Sequence, residues 1–325
     1  MTEAITLDTH AHLIPVEPDA LAGFDGISWD ADEGKMTIDG HTVGIRPIYK
    51  PQALLDWMER EAVAHAWISA PPPTYRQHLQ GQEAQAWTDF LNAGLAKIAT
   101  DSGGRLTALP HLPTQAPDVA VAIAVAAGAQ GLRAFSMPTG TGDDRTLSDP
   151  AFAPLWAALD RIGATVFFHP GSCADGRLKA FYLGNLVGNP HESTVAISHL
   201  VLGGILEAHP NLTPVFAHGG GTYPMVADRI QRGFDTDRPG VDTAATRPAD
   251  LLSRIHVDCI CHGPAALALA EQTFGTENVV FGSDWPFPMG LVNPHDQLAD
   301  VGADRRTRIF GANAAALLKK TTEET

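Results

Sequence analysis

Ile5-Thr6-Leu7-Asp8-Thr9-His10-Ala11-His12 is an apolar, β-branched run that ends in two histidines one residue apart. Side chains along a strand alternate with a period of two, so a strand here sends His10 and His12 to the same side. Two imidazoles aimed at one point begin a metal site, although an isolated His-x-His is about as often a pair of solvated loop histidines. The rest of the chain decides between these readings. Val166-Phe167-Phe168-His169-Pro170, Val215-Phe216-Ala217-His218-Gly219-Gly220-Gly221 and Val280-Phe281-Gly282-Ser283-Asp284-Trp285-Pro286 repeat the construction, each placing one candidate ligand or base just after an apolar run.

Around these runs, short β-branched segments alternate with longer Ala/Leu-rich stretches, the pattern of a parallel α/β fold. Eight strand candidates follow: Ile5 to Thr9, Ala64 to Ser69, Leu106 to Leu109, Gly131 to Phe135, Thr165 to Phe168, Pro214 to Ala217, Ile255 to Cys259 and Asn278 to Phe281. Helical stretches come after them, for example Pro51 to Ala62, Pro117 to Ala127 and Phe152 to Arg161. The expected fold is α/β, a single-domain (β/α)₈ TIM barrel over residues 1–325, whose C-terminal strand ends converge on one face. His10, His12, His169, His218 and Asp284 then meet in space despite their separation in sequence. The long connection from Leu13 to Lys50 is expected to be an inserted lid, residues 14–50. Alternation from Trp29 to Thr42 and the Asp39-Gly40 turn predict a small hairpin inside it. A second insertion, Gly171 to Asn189, is expected over the same rim. Arg305 to Lys320 reads as a closing helix, with the charged residues after it as a frayed tail.

The 325 residues are 44% apolar, enough for one large core, and carry a formal charge of −15 from 37 acidic against 22 basic residues. That balance argues against nucleic acid or anionic membranes as partners. It leaves a small anionic substrate open, because a local arginine and a metal ion can dominate the field inside a pocket. Cys173, Cys259 and Cys261 lack a repeated spacing and read as free thiols of a reducing compartment. Met1 to Ala4 runs straight into the apolar strand with no basic region ahead of a hydrophobic stretch, and no apolar run reaches membrane-spanning length, so a soluble cytoplasmic protein is expected.

Three imidazoles and a carboxylate, with one position left for water, suit Zn²⁺ or a similar borderline ion, which lowers the pKa of bound water to roughly 7. The fifth residue should then handle protons. His218 fits, since the glycine triplet after it lets backbone and substrate approach closely and His10 and His12 are taken by the metal. Spacing alone leaves the converse open, with His218 as ligand and His169 as base.

Together the His-x-His after the first strand, His-Pro after the fifth, His-Gly-Gly-Gly after the sixth and Ser-Asp-Trp-Pro-Phe-Pro after the eighth resemble the amidohydrolase superfamily. Closer still, the set is similar to its decarboxylase branch, typified by 2-amino-3-carboxymuconate-6-semialdehyde decarboxylase. Arg46-Pro47-Ile48-Tyr49 and Gly311-Ala312-Asn313-Ala314 also have counterparts there, so the resemblance spans almost the whole chain. It implies that His10, His12, His169 and Asp284 bind one divalent metal, Zn²⁺ first and Mn²⁺ as the alternative. It further implies that His218 activates the bound water, that Arg46 holds a substrate carboxylate, and that Arg229 reaches a neighbouring subunit's pocket in a homodimer. Arg46 has a physical case of its own, because a guanidinium binds carboxylate in bidentate fashion. Gly131-Leu132-Arg133-Ala134 carries no lysine at the fourth strand, so the bridging carbamylated lysine of two-metal relatives is not expected. The sequence departs from the branch in two places. The lysine of its first long loop is replaced near His41, and a second arginine falls near Asp237, with Arg238 only beside it.

The expected reaction is non-oxidative decarboxylation of a small unsaturated or aromatic carboxylic acid such as 2-amino-3-carboxymuconate semialdehyde. His218 would be the acid/base on metal-activated water or substrate, and Asp284 both ligand and proton shuttle. Trp285 and Phe287, within Trp285-Pro286-Phe287-Pro288, would supply an apolar wall for a planar ligand. Hydrolysis of a lactone, amide or related bond is the alternative on the same scaffold. A noncatalytic scaffold would lack a base or a ligand, and here each is present. His111, His256 and His262 could line the pocket, Asp8 and Asp258 could support the ligands, and Trp156 reads as packing.

Overall fold

The computed structural model describes residues 3–322, apart from 172 and 174. Its strands are β1 (Ile5–His12), β2 (Ile27–Asp30), β3 (Lys35–Ile38), β4 (His41–Val43), β5 (Val63–Ser69), β6 (Leu106–Ala108), β7 (Ala134–Pro138), β8 (Thr165–His169), β9 (Thr213–Phe216), β10 (His256–Asp258) and β11 (Val279–Val280). Parallel pairing joins β1-β5-β6 in one sheet and β7-β8-β9-β10-β11 in another. Two seams make one closed ring of them. At the first, His111 bridges Ser136, with Leu112 N donating to Ser136 O at 2.8 Å and Ser136 N to Pro110 O at 3.0 Å. At the second, Ala11 bridges Trp285, and Thr9 N, Asp284 N and His12 N donate to Phe281 O (3.0 Å), His10 O (2.7 Å) and Trp285 O (2.8 Å). The result is the (β/α)₈ barrel expected from the sequence.

Barrel strands are covered on both faces, which is why they read as continuous apolar runs rather than alternating ones. Thr165–His169 is buried at every position. Leu7, Trp67, Leu109, Phe167, Val215, Ala217 and Val280 pack together, with Ala314 and Leu317 of the C-terminal helix against them. This cluster fills the barrel interior. A second, larger cluster lies between strands and the surrounding helices and includes Ile5, Ala11, Ile68, Phe135, Phe168 and Phe216. Several of those helices open on proline, among them Pro51–Arg60, Pro117–Ala129 and Pro264–Phe274. Proline suits the first turn because its missing N–H has no partner there anyway.

Three details correct the sequence reading. The segment between β1 and Pro51 carries a three-stranded antiparallel sheet, β2-β3-β4, rather than a single hairpin. Its Asp39-Gly40 turn is where it was expected, joining β3 to β4 with both residues at positive φ (49° and 81°), as a two-residue turn of this kind requires. The fourth barrel strand runs Ala134–Pro138, three residues beyond the expected start, because Gly131 at φ 83° belongs to the turn that leaves the preceding helix. The closing helix is two helices, Ala303–Thr307 and Asn313–Thr322, joined by the π-helical turn Arg308–Ala312. The tail beyond Thr322 lies outside the described residues. Among those residues no helix is long and apolar enough to cross a membrane.

Candidate metal centre

Strand register decides what meets at the barrel mouth. Pro138 pairs with His169 across β7 and β8, and His12 with Ser69 across β1 and β5. Strand ends therefore sit level, and the residues that close them face one another. His10, His12, His169 and Asp284 bring one ligand atom each to within 4.8 Å of the others, and all four are buried. His10 Nε2 and His12 Nε2 are 3.1 Å apart, and Asp284 Oδ1 lies 3.2 and 3.3 Å from them.

Each imidazole is held from its far side. His10 Nδ1 donates to Asp258 Oδ2 at 2.7 Å, and His169 Nδ1 donates to Pro170 O at 2.8 Å. His12 Nδ1 lies 3.2 Å from Ser69 Oγ. The carboxylate and the carbonyl assign the tautomers of His10 and His169, and all three rings turn Nε2 inward. His169 Nε2 and Asp284 Oδ1 are buried without a hydrogen bond of their own. Buried lone pairs that converge without donors are costly unless a cation takes them, so the residues fit one divalent ion.

The carboxylates that would attract a cation also draw a proton onto His10. Burial works against a charged His10, but the Asp284 and Asp258 carboxylates outweigh it and raise its pKa to about 10. Asp284 is held well below the usual carboxylate range, the His10 charge and the surrounding imidazoles overcoming its burial. Burial, with the His10 charge adding to it, pushes His12 and His169 down. The fourth barrel strand ends in Ser136, Met137 and Pro138, so no amine stands where a second ion would need a bridge.

His218 follows β9 at φ 56°, and Gly219, Gly220 and Gly221 continue in the left-handed region at 61°, 75° and 68°. Only glycine holds that conformation cheaply, which is the physical content of the triplet. Packing adds a second reason, since a Cβ on Gly221 would stand 2.2 Å from Pro190 O. The turn brings His218 Nε2 to 3.8 Å from Asp284 Oδ2, with ring centroids 5.1 Å from His169 and 5.3 Å from His10.

A cavity of about 670 Å³ opens over the centre, with His169, His218 and Asp284 in its floor. Val43, Ile45, Pro72, Pro73, Phe287, Pro288 and Met289 give it apolar walls, and Tyr182, Asn185 and Asn189 give it polar ones. Phe287 also packs edge-on against His12, centroids 5.5 Å apart. A recess of about 340 Å³, lined by Met225, Cys261, His262 and Leu269, adjoins across His218 and Asp284. Neither space is lined by a lysine or an arginine among the described residues.

Three of the expected substrate contacts therefore lie elsewhere in this chain. Arg46 begins the short turn Arg46–Tyr49, is half-exposed, and pairs with Glu33 Oε2 at 3.1 Å. Arg229 is exposed on the helix Tyr223–Asp235. Trp285 is buried in the outer core, away from the cavity wall. Asp8 ties the barrel seam together, accepting from Ser283 Oγ (2.5 Å), Ser283 N (2.9 Å) and His10 N (3.0 Å), while burial lifts its pKa to about 6. His111 stacks on Tyr75 at 4.9 Å, and burial drives its pKa to about 3, so it serves as a neutral packing residue. Trp156 is buried and donates to Leu147 O, as a packing residue should. The cysteines are free. Pro72, Pro73, Asn185 and Asn189 escaped the sequence reading. Their position in the connections that follow β5 and β8 was the available signal, since such connections build this face of a barrel.

These observations meet an independent result: the chain belongs to the amidohydrolase family, whose profile matches residues 7–320. Among its curated relatives is the 2-amino-3-carboxymuconate-6-semialdehyde decarboxylase of Dictyostelium discoideum, 27% identical over 336 positions that cover 97% of this chain and 92% of the relative. The 2,6-dihydroxybenzoate decarboxylase from Rhizobium superimposes with a TM-score of 0.78 at 21% identity, covering 98% of this chain and 99% of that one. The 5-carboxyvanillate decarboxylase of Novosphingobium aromaticivorans, complexed with manganese and 4-hydroxy-3-methoxy-5-nitrobenzoic acid, gives 0.79 at 18% identity, covering 97% and 96%. These solved structures share the barrel.

Proposed function

We propose that this protein is a divalent-metal-dependent, non-oxidative decarboxylase of a small unsaturated or aromatic carboxylic acid, such as 2-amino-3-carboxymuconate semialdehyde or a hydroxybenzoic acid. The observation that carries the reading is a ligand set for one ion, with His218 beside it, opening onto an apolar cavity of about 670 Å³. The relatives named above, decarboxylases of such acids, support it.

His10, His12 and His169 would hold the ion through Nε2 and Asp284 through its carboxylate. When bound, a divalent ion, Zn²⁺ first and Mn²⁺ second, supplies Lewis-acid polarisation of a substrate oxygen. The walls at Val43, Ile45, Phe287 and Pro288 take the flat faces of a conjugated acid and keep bulk water from it. As the bond between a substrate carbon and its carboxylate breaks, the electron pair stays on the substrate carbon and CO₂ leaves, so the carbon left behind needs a proton. His218 Nε2 and Asp284 Oδ2, 3.8 Å apart in the cavity floor, are placed to hold that proton and pass it on. Among the described residues no guanidinium lines the cavity. In this reading Arg46 arrives by closure of the 14–50 lid, and Arg229 serves the pocket of a second copy in a cytoplasmic homodimer.

The test is CO₂ release by the metal-loaded protein from freshly generated 2-amino-3-carboxymuconate semialdehyde and from a panel of hydroxybenzoic acids, with His218→Ala as control. Release that the variant loses supports the decarboxylase. Turnover of lactones or amides without CO₂ from any acid would transfer the same centre to a hydrolase.

A further inference from the structure

Asp258 closes β10, is fully buried, and has no part in the proton path above. Three donors converge on its carboxylate. His10 Nδ1 donates to Oδ2 at 2.7 Å, while the backbone N–H groups of Gly219 and Ile260 both donate to Oδ1 at 3.0 Å. One group thus grips the far side of a candidate ligand and the first glycine of the turn that aims His218.

We propose that Asp258 is a positioning residue that locks His10 with its Nε2 lone pair toward the ion and, through the other oxygen, fixes the left-handed turn carrying His218. The geometry requires an acceptor-only group, which among neutral and anionic side chains of this length is the ionised carboxylate. An amide in its place can serve one side only. With its oxygen on the two backbone N–H groups, its NH₂ faces His10 Nδ1, which must then accept, and the ring proton moves to Nε2 where it points at the ion. Flipped, the NH₂ confronts the Gly219 and Ile260 donors and displaces the turn. The pocket offers no slack for rearrangement, because a Cβ on Gly282 would already stand 2.8 Å from the Asp258 Cβ and 2.9 Å from the His10 Cβ. A merely structural carboxylate would affect folding without favouring either function.

The experiment compares wild type with Asp258→Asn, both full-length, by Zn²⁺ competition against a chromophoric chelator and by the pH profile of CO₂ release at saturating Zn²⁺. The second arm rests on the decarboxylase reading; the first does not. We expect Zn²⁺ to bind the variant about 10–100-fold more weakly, the usual effect of removing a group that orients a metal-bound histidine. We also expect a displaced pH profile from an unmoored His218. Wild-type Zn²⁺ affinity in the variant would overturn the His10 arm, and an unmoved profile would overturn the His218 arm. Absence of CO₂ from the wild type would remove the decarboxylase reading while the Zn²⁺ arm still decided the role of Asp258. Should the variant fail to fold, ¹⁵N spectra of the Zn²⁺-loaded wild type decide: His10 ligated through Nε2 with a proton on Nδ1 supports the proposal, and ligation through Nδ1 overturns it.

Discussion

His218 has to satisfy two demands, a side chain turned toward Asp284 and a backbone at φ 56° followed by three left-handed glycines. The two can be separated by mutation. In the proposed mechanism, replacing His218 by Ala removes the proton carrier and leaves the four candidate ligands alone, so kcat should fall by about 10²–10⁴-fold. Zn²⁺ affinity, read by chelator competition, should hold; a parallel loss would make His218 a ligand instead. Gly221→Ala attacks the backbone, placing a methyl 2.2 Å from Pro190 O at φ 68°. Denaturant melts should show a loss of roughly 1–3 kcal/mol, from strain and overpacking together. At this scale the convergence of the four candidate ligands was legible because each follows an apolar run at a strand end, where the chain has few choices of direction. Trp285 was not. It pairs with Ala11, whose side chain leaves the strand opposite to His10 and His12, so both residues enter the core behind the barrel wall. Arg46 is a different case: a long flexible cation on a loop can pair with a neighbour such as Glu33, and sequence does not register that competition.

The inserted sheet β2-β3-β4 packs Met36, Ile38 and Val43 into the core and is also tied down by an ion pair. Arg76 reaches Asp39 with Nε (2.9 Å) and Nη2 (2.8 Å), donates to Asp25 O at 2.6 Å, and lies over Trp87. Its guanidinium is almost fully buried, while Asp39 is partly solvated. Arg76→Ala should therefore cost about 1–3 kcal/mol, at the scale of a charged hydrogen bond lost rather than of a deeply buried pair. Because β4 and the loop after it wall the cavity, the same variant should raise KM more than it lowers kcat in steady-state assays; unchanged KM would detach the sheet from substrate binding. At the other end, Glu3 accepts from Thr307 Oγ1 (2.5 Å) and Arg306 Nε (3.0 Å), clasping the segment before β1 to the closing helices. Thr307, then Arg306, lower its pKa from the ordinary 4.5. A lowered carboxyl stabilises the fold above its unfolded value and ceases to do so as pH falls through the folded one. The melting-point gap between wild type and Glu3→Gln should hold at neutral pH and shrink progressively below pH 4.5. The Asp39-Gly40 turn was legible because few dipeptides accept two positive φ angles. The pairing of β2 with β3 was missed because the turn between them, around Glu33-Gly34, lacks so specific a signature.

The whole molecule is a ring closed by two sparse seams, at His111–Ser136 and Ala11–Trp285, with the candidate centre built across the second. Eightfold alternation made the barrel legible, but sequence carries no mark of how regular each seam is, since an isolated bridge differs from a ladder only in backbone geometry. A centre assembled from β1, β8 and the residues after β9 and β11 spans most of the ring. An ion that binds it stabilises the fold by mass action, about 2.7 kcal/mol at a free concentration one hundred times Kd. Adding Zn²⁺ to chelated protein should therefore raise the melting temperature by several degrees, and His169→Ala should abolish the rise; an equal rise in that variant would place the ion elsewhere. The most direct measurement of the central claim is CO₂ release from an accepted acid while Zn²⁺ is titrated into metal-free protein. Release that climbs linearly and levels at one ion per chain, and that His169→Ala does not show, is the predicted result. No CO₂ at any loading, or a plateau only at two ions per chain, would contradict a mononuclear decarboxylase.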